Sequence, residues 1–146
     1  MKVKEVIDKC EELLEVQSTK ADLLECFNVV EQELALDYFP LYATHYCNSK
    51  VVKYTEFEYN PVRIISCNCK FKLYPTHIES KDVITNIQYA YVPNKKELHD
   101  DCSYNIDLLD CLAYGTVSEY LIAQGFYEDG VLWDRKYKNA IELLKF

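Results

Sequence analysis

Hydrophobic positions recur with the period of an α-helix near the N-terminus of the chain. Two such stretches are joined by a short polar link, and their apolar residues repeat at three- and four-residue steps, which is typical of helices that bury one face. Ser18 or Thr19 is expected to cap the second helix. That helix ends before Pro40, because a proline disfavours helical backbone in the residue before it. The pattern predicts a pair of antiparallel helices within residues 1–40.

The last third of the chain, residues 101–146, predicts a second helical hairpin. Its first helix has one apolar face with helical spacing, formed by Ile106, Leu109, Ala113, Val117, Tyr120 and Leu121. Asp101 or Ser103 is expected to cap this helix, and Gly125 to end it in a left-handed conformation. Gly115 lies inside the helix, where glycine costs about 1 kcal/mol relative to alanine, so we expect another element to approach its backbone closely.

Between the two helical parts the hydrophobic period changes to two. Residues 41–93 contain short segments rich in β-branched and aromatic residues, separated by polar turns. This pattern predicts an antiparallel sheet or small sandwich of about five strands. No repeat or flexible linker divides the sequence. We therefore predict a single α+β domain over residues 1–146, a helical bundle of two terminal helix pairs with the β section inserted between them.

Composition narrows the range of functions. The chain of 146 residues has a formal net charge of −8, and an acidic surface disfavours sequence-specific binding of nucleic acid. Its three glycines are too few for glycine-rich phosphate loops. We find neither a signal-peptide pattern nor an apolar run of about twenty residues. These features predict a protein made in a cytosol, with its seven cysteines reduced and mostly used as small core residues.

The most specific-looking polar cluster combines His45 and Cys47 with Cys67 and Cys69. Residues two apart share one face of a strand, so two adjacent strands would present one histidine and three cysteines to a zinc ion. The spacing between cysteines that is typical of structural zinc sites is missing. This favours the alternative that the cysteines are half-buried strand residues and that His45 is an exposed loop residue. We predict no cofactor and keep a zinc-stabilised binding module as an alternative.

No pattern of catalytic residues is evident in the sequence. Carboxylate pairs such as Glu11 with Glu12 and Asp100 with Asp101 lack the spacing of a calcium loop and are typical of solvated faces. The three histidines lie in separate segments without the local context of a nucleophile–base pair. We therefore predict that the protein is not an enzyme.

The whole pattern resembles the head–tail adaptor, or head-completion, proteins of tailed bacteriophages, which are small neck proteins of the virion. Residues 113–120 (AYGTVSEY), followed by residues 125–128 and 133–140, are similar to the C-terminal hairpin of that family. The likeness extends less specifically to the N-terminal helix pair and the β section, at residues 36–41, 63–65, 71–74 and 89–93. It rests on apolar and aromatic positions, and the cysteine-rich β section departs from it.

The resemblance implies a non-enzymatic component of the virion neck, synthesised in the host cytoplasm. In that family, copies assemble below the portal, commonly as a dodecameric ring, and extend the DNA channel toward the tail. The implied partners are therefore further copies of the chain, the portal and a tail or tail-completion protein. DNA passes through without sequence-specific binding, and no membrane is involved. Another virion part, such as a tail-completion or terminator protein, is an alternative.

If the protein belongs to that family, its contacts with neighbouring subunits or the portal are expected in the second helix of the hairpin and the C-terminal tail. The candidate residues are Trp133, Arg135, Tyr137, Leu143, Leu144 and Phe146. The alternative for Trp133 and Tyr137 is that they pack only inside the molecule.

Overall fold

A computed structural model describes residues 1–145 of the chain. The predicted α+β fold class is confirmed, with helix pairs at both ends of the chain and an antiparallel sheet between them in the sequence. The residues separate into two compact units. Met1–Glu33 and the chain from Lys95 onward form a helical unit, and Leu34–Asn94 form a β unit. The prediction of one folding domain stays a prediction.

Within residues 1–145, four α-helices build the helical unit. They are α1 (Val3–Leu13), α2 (Lys20–Glu33), α3 (Leu109–Ala123) and α4 (Tyr127–Leu144). α3 packs against each of the other three helices. This central position explains why most of its residues are buried and why its apolar residues extend around the helix instead of forming one narrow stripe.

The two N-terminal caps that the sequence predicts have different outcomes. Thr19 caps α2 as predicted, because its Oγ1 accepts a hydrogen bond from the Asp22 amide at 3.2 Å. The predicted cap of α3 is wrong. The chain first makes a 3₁₀ turn over Ile106–Leu108, and Asn105 caps that turn by accepting from the Asp107 amide at 3.0 Å.

Asp101 and Ser103 do not cap a helix because both tie the connecting segment to the N-terminal helices. Asp101 forms an ion pair with Lys2 at 3.0 Å. The Ser103 amide donates to the Glu31 carboxylate at 2.9 Å. Contacts remote in the sequence therefore take the place of the local caps that were expected.

The β unit contains a four-stranded antiparallel sheet, preceded by a π-helical turn over Leu34–Tyr38. The strands are β1 (Leu41–Lys53), β2 (Asn60–Cys67), β3 (Lys72–Leu73) and β4 (His77–Val92). β4 lies between β1 and β2, and the short β3 pairs with the beginning of β4. The expected number of about five strands was too high, because residues 41–53 form one long strand along β4.

One face of this sheet carries the core of the β unit. Six of its side chains are buried together, namely Val52, Phe57, Ile78, Ile84, Ile87 and Tyr89. Phe57 follows the 3₁₀ turn Tyr54–Glu56 and packs against Tyr89 in a tilted arrangement, with ring centroids 4.7 Å apart. In β1 the half-buried residues from Leu41 to Cys47 alternate with exposed ones, as expected for a sheet with one packed face.

Candidate interaction surface on the C-terminal hairpin

A left-handed glycine forms the corner between α3 and α4. Gly125 has φ of +88°, the only positive φ in the described chain. Its amide donates to the Ile122 carbonyl at 3.0 Å, and the Phe126 amide donates to the Leu121 carbonyl at 2.8 Å. These two bonds satisfy carbonyls at the end of α3 in the pattern of a Schellman motif. The predicted left-handed end of this helix at Gly125 is confirmed.

Two further glycines allow close packing around α3. A Cβ atom added at Gly115 would lie 2.7 Å from Val30 Cγ1 and 2.9 Å from Tyr137 Cε1. One added at Gly130 would lie 2.5 Å from Cγ1 of Ile122. The predicted close approach at Gly115 is thus confirmed, and it fixes the inner side of α4 against α3.

The inner side of α4 contains two of the residues that the resemblance selected. Tyr137 is buried, and its hydroxyl donates to Glu33 Oε1 at 3.1 Å. Trp133 is half-buried, with its ring 5.5 Å from that of Tyr114 and the Lys136 ammonium 4.1 Å from its ring centre. Both aromatic residues therefore take part in packing within the helical unit.

Carboxylates gather beside this packed region. Lys138 lies 3.9 Å from Glu33 and 3.8 Å from Asp134. Burial raises the pKa of the nearby Glu119 carboxyl, with smaller contributions from the negative charges of Glu33 and Asp134. Lys138 is thus a single cation among three carboxylates. We interpret this mixed charge cluster as a contact that holds the inner side of α4 against α2.

The outer face of α4 is apolar and exposed. Tyr127, Val131 and Leu132 have 66%, 47% and 52% of their surfaces exposed. Together with Glu128 and Arg135 they line one shallow groove, which we call the α4 outer face. In the described part of the chain, neither Glu128 nor Arg135 belongs to an ion pair. The face thus presents an apolar centre with an unpaired charge of opposite sign at each end.

The other sequence candidates lie in the middle of α4 and at its C-terminal end. Arg135 is exposed and belongs to the α4 outer face. Leu143 is 79% exposed, and Leu144 is also open to solvent. Phe146 lies outside the described residues. These placements leave Arg135 and the two leucines accessible for contacts with another chain.

Sequence reasoning missed the apolar residues at the start of α4. Tyr127, Val131 and Arg135 are spaced by four residues, which places them on one side of a helix. This four-residue spacing is the sequence signal that indicates the exposed side of the helix.

The four residues of the zinc alternative do not come together as that alternative requires. It assumed two adjacent strands, but β4 separates β1 from β2, and both His45 and Cys67 are in register with Ile87 from opposite sides. His45 is a half-buried strand residue that stacks on Phe57, with ring centroids 4.7 Å apart, and is not an exposed loop residue.

The thiols of this group have protein partners of their own. Cys47 donates to the Ile84 carbonyl at 3.3 Å, and Cys69 lies 3.1 Å from the Ser80 hydroxyl. Burial raises the pKa of the Cys47 and Cys67 thiols, which favours their neutral form. Within residues 1–145, no three His, Cys, Asp or Glu side chains are grouped so that they could hold a metal ion. The geometry gives no support to the zinc alternative.

A buried carboxylate connects the segment before α3 to α2. Glu31, which is 1% exposed, accepts hydrogen bonds from the Lys96 ammonium at 3.0 Å and from the Ser103 amide at 2.9 Å. The Asn28 side chain bonds both the amide and the carbonyl of Lys96, at 2.8 and 3.1 Å. All these polar groups have hydrogen-bond partners within the helical unit. They form a buried polar network around Glu31 that holds the connecting segment to α2.

None of the helices described over residues 1–145 combines the length and the apolar character needed to cross a membrane. A comparison of the sequence with protein-family models finds no matching family. A comparison with curated proteins finds no match either.

Proposed function

We propose that the protein is a non-enzymatic structural component of a tailed-phage neck, of the head–tail adaptor type. The proposal starts from the resemblance of residues 113–140, which form most of the α3–α4 hairpin. The observation that carries it is the apolar α4 outer face, which no element of residues 1–145 covers and which includes the exposed Arg135. Apolar surface joined to arginine is the composition that protein–protein interfaces favour.

A ring component needs at least two contact surfaces on each copy, because a cyclic ring joins one patch to a different patch on the next subunit. The helical unit offers the α4 outer face together with the exposed Leu143 and Leu144. The β unit offers an exposed strip on β1 that includes Tyr42 and Tyr46. The availability of distinct surfaces in both units supports an assembling protein. The resemblance adds the expectation of a dodecamer bound to a portal and followed by a tail protein.

The acidic composition is compatible with a channel for DNA. With a formal net charge of −8, the chain repels phosphate more than it attracts it. DNA would then pass such a ring without being retained on its wall. This compatibility supports the proposal less strongly than the α4 outer face does.

Mass photometry tests the proposal directly. The purified protein is measured alone, with the portal protein of the same genome, and with the tail-completion protein of that genome. We expect a discrete ring-sized complex with the portal, weakened by Arg135→Ala and by deletion of residues 143–146. Lys81→Ala, at an exposed position of the β unit, is the control variant. A protein that stays monomeric beside its portal contradicts the adaptor assignment. Binding only to the tail-completion protein would favour the alternative of a tail terminator.

A further inference from the structure

The α4 outer face has an internal symmetry that its five residues reveal. Val131 and Leu132 lie at its centre. Glu128 lies three residues before Val131, and Arg135 lies three residues after Leu132, so the charges are placed symmetrically about the centre. The two charges are seven residues apart on one helix, about 10 Å along the axis. Such a face is complementary to its own copy when the copy runs in the opposite direction.

We propose that the α4 outer face binds the same face of a second copy of this chain, with the two α4 helices antiparallel about a twofold axis. An axis between Val131 and Leu132 places Glu128 of each copy opposite Arg135 of its partner. The contact therefore contains two equivalent ion pairs around an apolar centre. Tyr127 lies at each end of that centre and adds aromatic surface to it.

The charges explain why a second copy is the occupant. Neither Glu128 nor Arg135 has an ion-pair partner in the described chain, although both border exposed apolar side chains. A purely acidic or purely basic partner would match one end of the face and repel the other. A copy in antiparallel orientation matches both ends at once.

The size of the face determines how tight this contact is. A stable protein–protein interface buries about 800 Å² per partner, and five side chains on one helix face bury less than that. The dimer is therefore weak and depends on protein concentration. A cyclic ring contains no twofold contacts between neighbours, so the dimer is a state of the free protein that dissociates when a ring forms. The proposal does not depend on the adaptor function.

Sedimentation velocity over about three orders of magnitude in concentration measures this equilibrium. We expect the wild-type protein to pass from monomer to dimer as its concentration rises. Glu128→Arg and Arg135→Glu, each alone, place like charges opposite one another and weaken the dimer by about tenfold or more. The double variant Glu128→Arg with Arg135→Glu restores both ion pairs and the dimer.

A mixture of the two single variants provides the most specific test. One chain then carries two basic residues on the face and the other carries two acidic ones, so the mixed pair regains both ion pairs. We expect dimers in the mixture at concentrations where each variant alone is monomeric. Asp129→Arg is the matched control, because it makes the same charge change in the first turn of α4 but lies outside the α4 outer face.

Several outcomes would overturn the proposal. One is a wild-type protein that stays monomeric at all concentrations. Another is a dimer whose dissociation constant is unchanged by either charge reversal, and a third is a double variant that fails to dimerise. A closed ring of the free wild-type protein would also exclude the twofold contact, although it would agree with the adaptor function. Glu128 is in the first turn of α4, where a basic residue can disturb the helix, whereas Arg135 lies in its middle. Arg135→Glu therefore still tests the proposal if Glu128→Arg does not fold. Circular dichroism of each variant checks that point.

Discussion

The helical unit and the β unit achieve stability by different means. The helical unit holds 19 acidic and 10 basic residues, a formal charge of −9, whereas the β unit holds 5 acidic and 6 basic residues, a formal charge of +1. Despite its charge, the helical unit buries a central helix, a carboxylate and two closely packed glycines. The β unit buries one face of a sheet against a cluster of aromatic and aliphatic side chains.

This difference predicts how each unit responds to substitution. In the helical unit, individual contacts with fixed geometry compensate for the repulsion among many carboxylates, so a single polar substitution has a large effect. In the β unit, apolar burial on one face dominates, and the effect of a substitution follows the volume that is removed. The following experiments test this contrast, beginning with the largest expected change.

Glu31→Ala is expected to cost about 4 kcal/mol in the free energy of unfolding, because it leaves the Lys96 ammonium and the part-buried Ser103 amide without their acceptor. Chemical denaturation measures the loss. Glu31→Gln keeps a hydrogen-bond acceptor and is expected to lose about half as much. Glu25→Ala, an exposed position on the same helix, is the control. Equal stability of Glu31→Ala and Glu25→Ala would show that the buried polar network around Glu31 contributes nothing to the free energy of unfolding.

Ile87→Ala is expected to cost about 3 kcal/mol, because the fully buried side chain leaves a cavity in the cluster of the β unit. Val83→Ala removes an exposed side chain from the same strand and is the control. Hydrogen exchange with mass spectrometry locates the effect. We expect protection to fall in residues 34–94 and to persist in the helical unit. An equal loss in both units would instead support the single folding domain that the sequence predicts.

Gly115→Ala is expected to cost about 2 kcal/mol, because the added Cβ meets Val30 and the ring of Tyr137 below normal contact distance. Gly125→Ala meets no atom within 4 Å but must adopt φ of +88°, and is expected to cost about 1 kcal/mol. Thermal unfolding of both variants separates steric crowding from backbone strain. A Gly115→Ala protein as stable as the wild type would show that α3 can move away from its neighbours.

The sequence predicted those features that depend on local periodicity and on glycine. Helical spacing and the change to a period of two gave the order of the elements, and Gly115 and Gly125 lie where the predicted approach and corner require them. Features that depend on distant contacts were missed. Asp101 and Ser103 are suitable caps by local rules, but Lys2 and Glu31 engage them instead.

The candidate sites were harder to predict for the same reason. Strand order is not encoded in local alternation, so the insertion of β4 between His45 and Cys67 could not be foreseen. Trp133 and Tyr137 were selected by the resemblance, although large aromatic residues pack inside a protein as readily as they bind partners. The smaller Val131 and Leu132 became visible only when their exposure was known.

The smallest expected effect concerns ionisation of the Cys10 thiol, which changes the free energy of unfolding only at alkaline pH. Burial, with smaller contributions from Cys26 and Glu11, raises the pKa of the Cys10 thiol from 9.0 to about 12. Since the folded pKa exceeds the unfolded one, the neutral thiol's contribution to stability is complete below pH 9.0 and is lost as the pH rises toward about 12.

Between about pH 9 and pH 10 this linkage removes about 1 kcal/mol from the stability of the wild-type protein. Urea denaturation across that interval measures the slope. Cys10→Ala, which cannot ionise there, is expected to lose correspondingly less, whatever its stability at pH 7. Cys67→Ala is the matched variant in the β unit, where the thiol is less deeply buried, and should keep the wild-type slope more closely. Identical slopes for Cys10→Ala and the wild type would mean that the helical unit opens enough to solvate the Cys10 thiolate. The helical unit would then not be packed more tightly than the β unit, and the contrast between the two units would fail at this position.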